Sequence, residues 1–231
     1  MKRALIILLV FVFTFLSCFG INALFEKTNA VHSNYIKSNY NIVLDAGHGG
    51  KDAGTVAADG TPEKDINLGI VLKLYDFLMF CGINCYTVRN DDTEYYPAGS
   101  DKSRSDLYNR LNFVNSIDNA ILVSVHQNHF EDTSEWGMQV WYTPNELSSE
   151  FLANSILSIS KLFLQPENQR LNKVSDSSYY ILYKAKVPSV MVECGFMSNY
   201  EENNKLKSED YQKQLAYTIT MGINTYMNKE S

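Results

Sequence analysis

Apolar positions along the chain fall into short blocks that switch between two periods. Asn41-Ile-Val-Leu-Asp45 is an apolar run of strand length leading into the glycine-rich loop Gly47-His-Gly-Gly50. Ile66, Ile70, Leu74 and Phe77/Leu78 then recur at helical spacing until Gly82 stops the pattern. Residues 83–88 read as a second strand, and Leu107, Leu111 and Val114 mark a second helix. Residues 120–125 form a continuous apolar strand running into His126. Further strands are expected at 137–142, 179–183 and 189–194, with helices over 151–163 and along Tyr211, Leu215, Ile219 and Ile223. Strands alternating with helices predict an α/β fold, a single domain whose mostly parallel, twisted sheet is covered by helices on both faces. In such a sheet, reactive groups collect at the carboxyl ends of the strands.

The N-terminus has a different texture. Lys2 and Arg3 precede an apolar run from Ala4 to Phe13, and the stretch stays mostly apolar to Phe25. A positive start followed by an apolar run is the pattern of an export signal, and the stretch is also long enough to stay uncleaved as a membrane anchor. Thr28-Asn-Ala30 offers small residues for signal peptidase, whereas Phe15-Leu-Ser-Cys18 is an imperfect lipobox. Export, cleaved or anchored, is therefore expected in preference to lipidation. Residues 1–25 are read as signal peptide or anchor, the polar stretch 26–40 as a linker, and 41–231 as the folded domain.

Composition narrows the partners. The chain has 231 residues, 45% of them hydrophobic, and a formal charge of −6, with no basic block after residue 3. Nucleic acid is excluded as the main partner, because neutralising phosphates needs a surplus of Lys and Arg on one face. Removing residues 1–30 takes away three basic residues and one acidic residue, moving the charge to −8. That charge gives no attraction to an anionic wall, so a tether or a partner would have to localise the domain. Cys18, Cys81, Cys85 and Cys194 form no C-x-x-C pair, so a thiolate metal site or disulfide framework is not expected. With four histidines, His32, His48, His126 and His129, a metal site has to borrow carboxylates.

Three potential ligands stand where the strand-end rule puts them. His48 follows the first strand, His126 ends the strand from Ala120, and Glu63 lies at the start of the following helix. Two imidazoles and one carboxylate form the ligand set of a catalytic zinc, with the fourth position open. Each residue alone has an ordinary reading: a structural histidine at a strand end, a carboxylate compensating a helix dipole. Glu193 interrupts the apolar strand Val190-Met-Val-Glu-Cys194. A charge there is costly unless paired or close to a metal. It is either bridged to an arginine or acts as a general base, taking a proton from the attacking water and delivering it to a leaving nitrogen.

The motifs Asp45-Ala-Gly-His-Gly-Gly-Lys-Asp-Ala-Gly54, Glu63-Lys-Asp-Ile-Asn-Leu68, Thr87-Val-Arg89, Leu107-x-x-Arg110 with Asn115, Ser124-Val-His-Gln-Asn128 and Pro188-Ser-Val-Met-Val-Glu-Cys-Gly-Phe-Met-Ser-Asn199 occur in order along the domain. This series resembles the zinc-dependent N-acetylmuramoyl-L-alanine amidases (amidase_3). The resemblance implies a twisted six-stranded sheet and one zinc per chain. It also implies hydrolysis of the amide joining the lactyl group of N-acetylmuramic acid to L-alanine of the peptidoglycan stem peptide. It assigns His48, Glu63 and His126 as zinc ligands and Glu193 as the catalytic carboxylate. Arg104-Ser-Asp-Leu-x-x-Arg110 and Trp136-Gly-x-Gln139 resemble the germination-specific branch, which acts on spore cortex and prepares muramic acid for conversion to muramic-δ-lactam.

Three positions depart from the family pattern, which has small residues where Gln127 and His129 stand. His129 either points away from the metal into solvent or contacts substrate or metal. Cys194 stands where Leu or Val is commoner and reads as a small buried apolar residue. Asn128 and Arg89 are read as substrate-side helpers, hydrogen-bonding near the site or pairing with a carboxylate, or else as structural. Gly49-Gly-Lys51 is no phosphate loop, since the required upstream glycine and following Ser or Thr are missing. The remaining alternatives are a non-catalytic, membrane-tethered wall-binding module and a zinc peptidoglycan endopeptidase, although no H-E-x-x-H occurs. The expected partners are peptidoglycan, the membrane through residues 1–25, and an unidentified activating protein.

Overall fold

The alternation of apolar and polar residues assigns each strand's side chains to one sheet face or the other, and that assignment decides where the chemistry sits. The computed structural model describes residues 39–96 and 105–230. The expected export segment, most of the linker and Arg104 lie outside them. β1 (Asn41–Ala46), β2 (Cys85–Thr87), β3 (Ala120–Asn128), β4 (Gln139–Tyr142), β5 (Lys173–Val174) and β6 (Ser189–Phe196) form one sheet in the order β2-β1-β3-β6-β4-β5. Neighbouring strands are parallel except β4 against β6. The sheet is thus mixed, with β4 and β5 reversed at one side.

Among the described residues there are six helices: α1 (Glu63–Phe80), α2 (Asp106–Ser116), α3 (Ser148–Phe163) and α4 (Tyr180–Lys184) connect strands, and α5 (Tyr200–Leu206) and α6 (Glu209–Glu230) follow β6. None of the described helices is long and apolar enough to cross a membrane. On one sheet face Ile42, Leu44, Ile121, Val123, Val190 and Val192 pack beneath Ile70 and Leu74 of α1, Ile156 of α3 and Ile219 and Ile223 of α6, all fully buried. Each such side chain contributes about 1.5–3 kcal/mol on burial. The opposite face carries a smaller cluster in which Val43, Leu122 and Met191 meet Val114 of α2 and Ile181 and Leu182 of α4. Two short helices cover that face, and alternation puts Asp45, Ser124, His126 and Glu193 on it.

The expected strand at 179–183 is a helix instead. Its run of Tyr, Ile and Leu carries strand propensity, but local hydrogen bonds impose a turn. The Asp176 side chain accepts from the backbone N–H and hydroxyl of Ser178, and Tyr179 N–H donates to Asp176 O. Tyr183 N–H then donates to Tyr179 O, and Ala185 N–H to Ile181 O, while Ile181 and Leu182 bury against the sheet. The short edge strand β5 and helix α5 have no counterpart in the apolar pattern. α5 does carry a local signal, because the Asn199 side chain accepts from Glu202 N–H as an N-cap.

Candidate active site

The loop after β1 folds back on itself. His48 has φ 62°, a left-handed conformation that is strained for a residue with a Cβ. Hydrogen bonds in both directions between Gly49 and Asp52 close the turn and set Asp52 Oδ2 2.7 Å from His48 Nδ1. This carboxylate fixes which ring nitrogen of His48 faces the cluster, as carboxylates do behind metal-ligating histidines. The chain then runs through a hairpin bridged at Val56 and Pro62, and Glu63 opens α1. The positive end of the helix dipole favours a carboxylate at that place.

Two guanidiniums hold the loop from below. Arg110, 1% exposed, donates to Asp45 Oδ1 at 2.7 Å, to Asp106 Oδ2 at 2.6 Å, and to the carbonyls of Ala46 and His48 at 2.8 and 2.6 Å. Asp45 also accepts from the Ser124 hydroxyl at 2.8 Å. Burial opposes its ionisation, yet the charge of Arg110 holds its carboxyl below the usual range. Arg89 donates to the carbonyls of Ala46, Gly47, Lys64 and Asp91 at 2.8 to 3.0 Å. Of the two readings open for Arg89, these bonds favour the structural one. Arg89 is a buried brace for the loop that carries His48.

His126 and Glu193 are Cα partners across β3 and β6, so their side chains emerge side by side. Just beyond them three residue steps on β6 oppose two on β3, a bulge of the kind that re-aims side chains beside active sites. His126 Nδ1 lies 3.0 Å from Glu63 Oε1, and His48 Nε2 lies 3.3 Å from Glu63 Oε2. One ligand atom from each of these residues falls within 4.8 Å of the others. Burial opposes ionisation of Glu63, but contacts with His126 and His48 outweigh it and hold the carboxyl far below the usual range. Burial likewise opposes the charge on His48, and Glu63 and Asp52 raise its pKa to about 9. Such a cluster holds negative charge that a cation would neutralise.

Glu193 stands apart from these pairings. Burial pushes its carboxyl up to about 7, and its Oε2 is buried without a hydrogen-bond partner. Among the described residues no arginine bridges it. A cavity of about 330 Å³ opens over these groups, with Leu107 of α2, Tyr179 and Ile181 among its walls. The Tyr179 ring stacks on Trp141 at 4.6 Å. Burial and the nearby Glu193 charge push its phenol up to about 12, so it stays a hydrogen-bond donor.

The remaining expected helpers lie elsewhere. Asn128 Oδ1 accepts from His129 N–H at 2.8 Å, His129 is exposed, and neither lines the cavity. Asp52 and Asn67 break no apolar pattern that would single them out, although Asn67 stands four residues after Glu63 on the same helix face.

The stretch 42–225 matches the family Amidase_3, N-acetylmuramoyl-L-alanine amidase. The chain belongs to this family. The amidase is a hydrolase of amide bonds that acts on peptidoglycan. Its relatives include the germination-specific N-acetylmuramoyl-L-alanine amidase of Bacillus subtilis, 28% identical over 193 residues covering 82% of this chain and 80% of that protein. A solved structure of the CwlD amidase from Clostridioides difficile, in complex with the GerS lipoprotein, is 35% identical with a TM-score of 0.77, covering 83% of this chain and all of that one. An N-acetylmuramoyl-L-alanine amidase from Clostridium difficile 630 superposes with a TM-score of 0.73 at 29% identity, over 84% of this chain and all of that one.

The three-residue cluster suits a metal sterically as well as chemically. A Cβ at Gly47 would sit 2.1 to 2.6 Å from three atoms of the His126 ring, and one at Gly54 would sit 2.6 Å from His48 and 2.7 Å from Glu63. Both glycines leave the space in which the imidazoles and the carboxylate turn towards one another. Gly47→Ala is therefore expected to displace His126 and weaken metal binding at least about tenfold. The check is zinc titration against a chromophoric chelator, with circular dichroism showing a retained fold.

Proposed function

We propose that this amidase uses one zinc ion, held by His48, Glu63 and His126, to cleave the N-acetylmuramoyl-L-alanine amide in spore-cortex peptidoglycan. The observation that carries the reading is the convergence of three ligand atoms within 4.8 Å in the lining of a cavity that Glu193, with its buried and unpartnered Oε2, also lines. When bound, zinc supplies Lewis acidity, polarising the lactyl carbonyl and making water a nucleophile at neutral pH. Glu193 takes the proton of the attacking water. As the C–N bond breaks, Glu193 returns that proton to the nitrogen of L-alanine, which leaves as a free amine. Asp52 keeps His48 in one tautomer, and Arg89 and Arg110 hold the loop that presents it. The Tyr179 ring and Leu107 wall the cavity in which the amide would lie.

The cortex assignment rests on likeness to the germination-specific amidase and to CwlD. In that setting peptide removal prepares muramic acid for conversion to muramic-δ-lactam. The complex of CwlD with the GerS lipoprotein supports a protein partner for this chain too. We further propose that residues 1–25 export or anchor the domain outside the cytoplasm and that 26–40 link it to the catalytic domain at 41–231. The test is mass spectrometry of peptidoglycan digests. A new amine terminus on L-alanine is expected, together with cortex muramic-δ-lactam that disappears in cells carrying Glu193→Ala. Lactam unchanged in those cells would refute the cortex role, and an internal amine terminus would mean endopeptidase action.

A further inference from the structure

Glu63 accepts more hydrogen bonds than its two imidazole neighbours supply. Thr55 N–H donates to Oε2 at 3.0 Å, Gln127 N–H to Oε1 at 3.0 Å, and the Asn67 amide to Oε1 at 3.2 Å. The same Asn67 nitrogen donates to Gly47 O at 3.2 Å, within the loop that carries His48. Both of those partners are pure acceptors, so the orientation of the Asn67 amide is fixed with its oxygen pointing away. Gln127 meets that oxygen, its Nε2 donating to Asn67 Oδ1 at 3.0 Å. Asn67 and Gln127 are both buried, so water cannot substitute for either amide.

The cost of placing Gln127 here is visible. Its Oε1 is buried with no hydrogen-bond partner. A side chain that only filled space would do so without stranding an oxygen, since an unpaired buried polar atom costs about 1–3 kcal/mol. The geometry points to Gln127 and Asn67 as an amide relay that orients the Glu63 carboxylate, making them positioning residues for this ligand rather than core filler. The relay rests on the zinc-site reading given above. Gln127 fixes Asn67, Asn67 ties Glu63 to the carbonyl of Gly47, and the two ligand-bearing segments, the β1 loop and α1, are thereby held in one register.

The discriminating variant is Gln127→Met, which keeps length and volume, removes the donor to Asn67 and exchanges the oxygen stranded on Gln127 for one stranded on Asn67. The measurements are zinc affinity, by competition with a chromophoric chelator, and the melting temperature of the metal-free protein. A relay predicts zinc affinity lowered about 10- to 100-fold, the range for lost outer partners of metal ligands, with no fall in the metal-free melting temperature. Gln127→Ala, which removes both amide atoms, is expected to lose zinc affinity in the same way and serves if the Met variant does not fold. In the Asn67→Leu background Gln127→Met is expected to have no further effect, because the relay is already cut. Zinc affinity within twofold of the parent in both Gln127 variants would overturn the relay, as would effects of the two substitutions that add in full. Glu63→Ala separates the two layers of the reading. If the parent binds no stoichiometric zinc, or Glu63→Ala still binds it, the metal site itself is wrong. If the parent binds, Glu63→Ala does not, and Gln127→Met binds as the parent does, only the relay is wrong.

Discussion

Glu193→Gln is expected to lower kcat by about 10²- to 10⁴-fold, the usual contribution of a positioned general base, with stoichiometric zinc still bound. The amide keeps the shape of the side chain but cannot take a proton from water or return it to the leaving amine. Among the described residues Glu193 is the cavity-lining carboxylate that no cation or hydrogen-bond donor claims. Asp45 is bound to Arg110 and Ser124, Asp52 to His48, and Glu63 to the two imidazoles. The pH profile gives the same residue a second signature. Burial raises its pKa to about 7, and a protonated carboxyl cannot act as a base. Activity should therefore fall as pH drops through that pKa, and the charge of a bound cation moves this acid limb to lower pH. In Glu193→Gln the limb should vanish. Steady-state rates against pH, with zinc measured on the same samples, check both parts. A variant retaining more than a tenth of parental kcat would sink the assignment.

Glu63→Ala is expected to abolish activity and stoichiometric zinc together. The loss in affinity should be at least as large as the 10- to 100-fold that missing outer partners cost, because a ligand itself is removed. The substitution also strips His48 and His126 of the carboxylate that lies 3.3 and 3.0 Å from them. Thr55 N–H and Gln127 N–H lose their acceptor, and the Asn67 amide keeps only Gly47 O. Chelation of the parent should reproduce the loss of activity, and added zinc should restore the parent but not the variant. Metal analysis of the purified proteins with an amide-hydrolysis assay measures this. Parental activity in Glu63→Ala would rule out the ligand role.

Much of the architecture was legible because each sheet face has its own apolar supply. β1, β3 and β6 are buried on both sides and read as continuous apolar runs, while α1 and α6 show a helical stripe. Where the sequence misled, local chemistry outweighed propensity. The aromatic run ending in Tyr183 reads as a strand, yet Asp176 and Ser178 start a turn and Ile181 and Leu182 bury as helix residues. The short strand β5 pairs at the sheet edge through Lys173 and Val174, both exposed, so no alternation marks it.

For the site the division is similar. Residue types and their motif order determined the pair of histidines, the carboxylate at the start of α1 and the lone glutamate in an apolar strand, since each breaks a local apolar pattern at the carboxyl end of a strand or the start of a helix. Tertiary structure alone decided what those residues do to one another. Asp52 reaches His48 only because a left-handed His48 turns the loop back. Arg89 serves the backbone rather than a carboxylate because the carbonyls of Ala46, Gly47, Lys64 and Asp91 converge on it. Gln127 meets Asn67 across 60 residues of chain. Periodicity reports which face a side chain takes, because that depends on its own strand or helix. Hydrogen-bond partnership depends on where two separate elements come to rest, and only the folded chain fixes that.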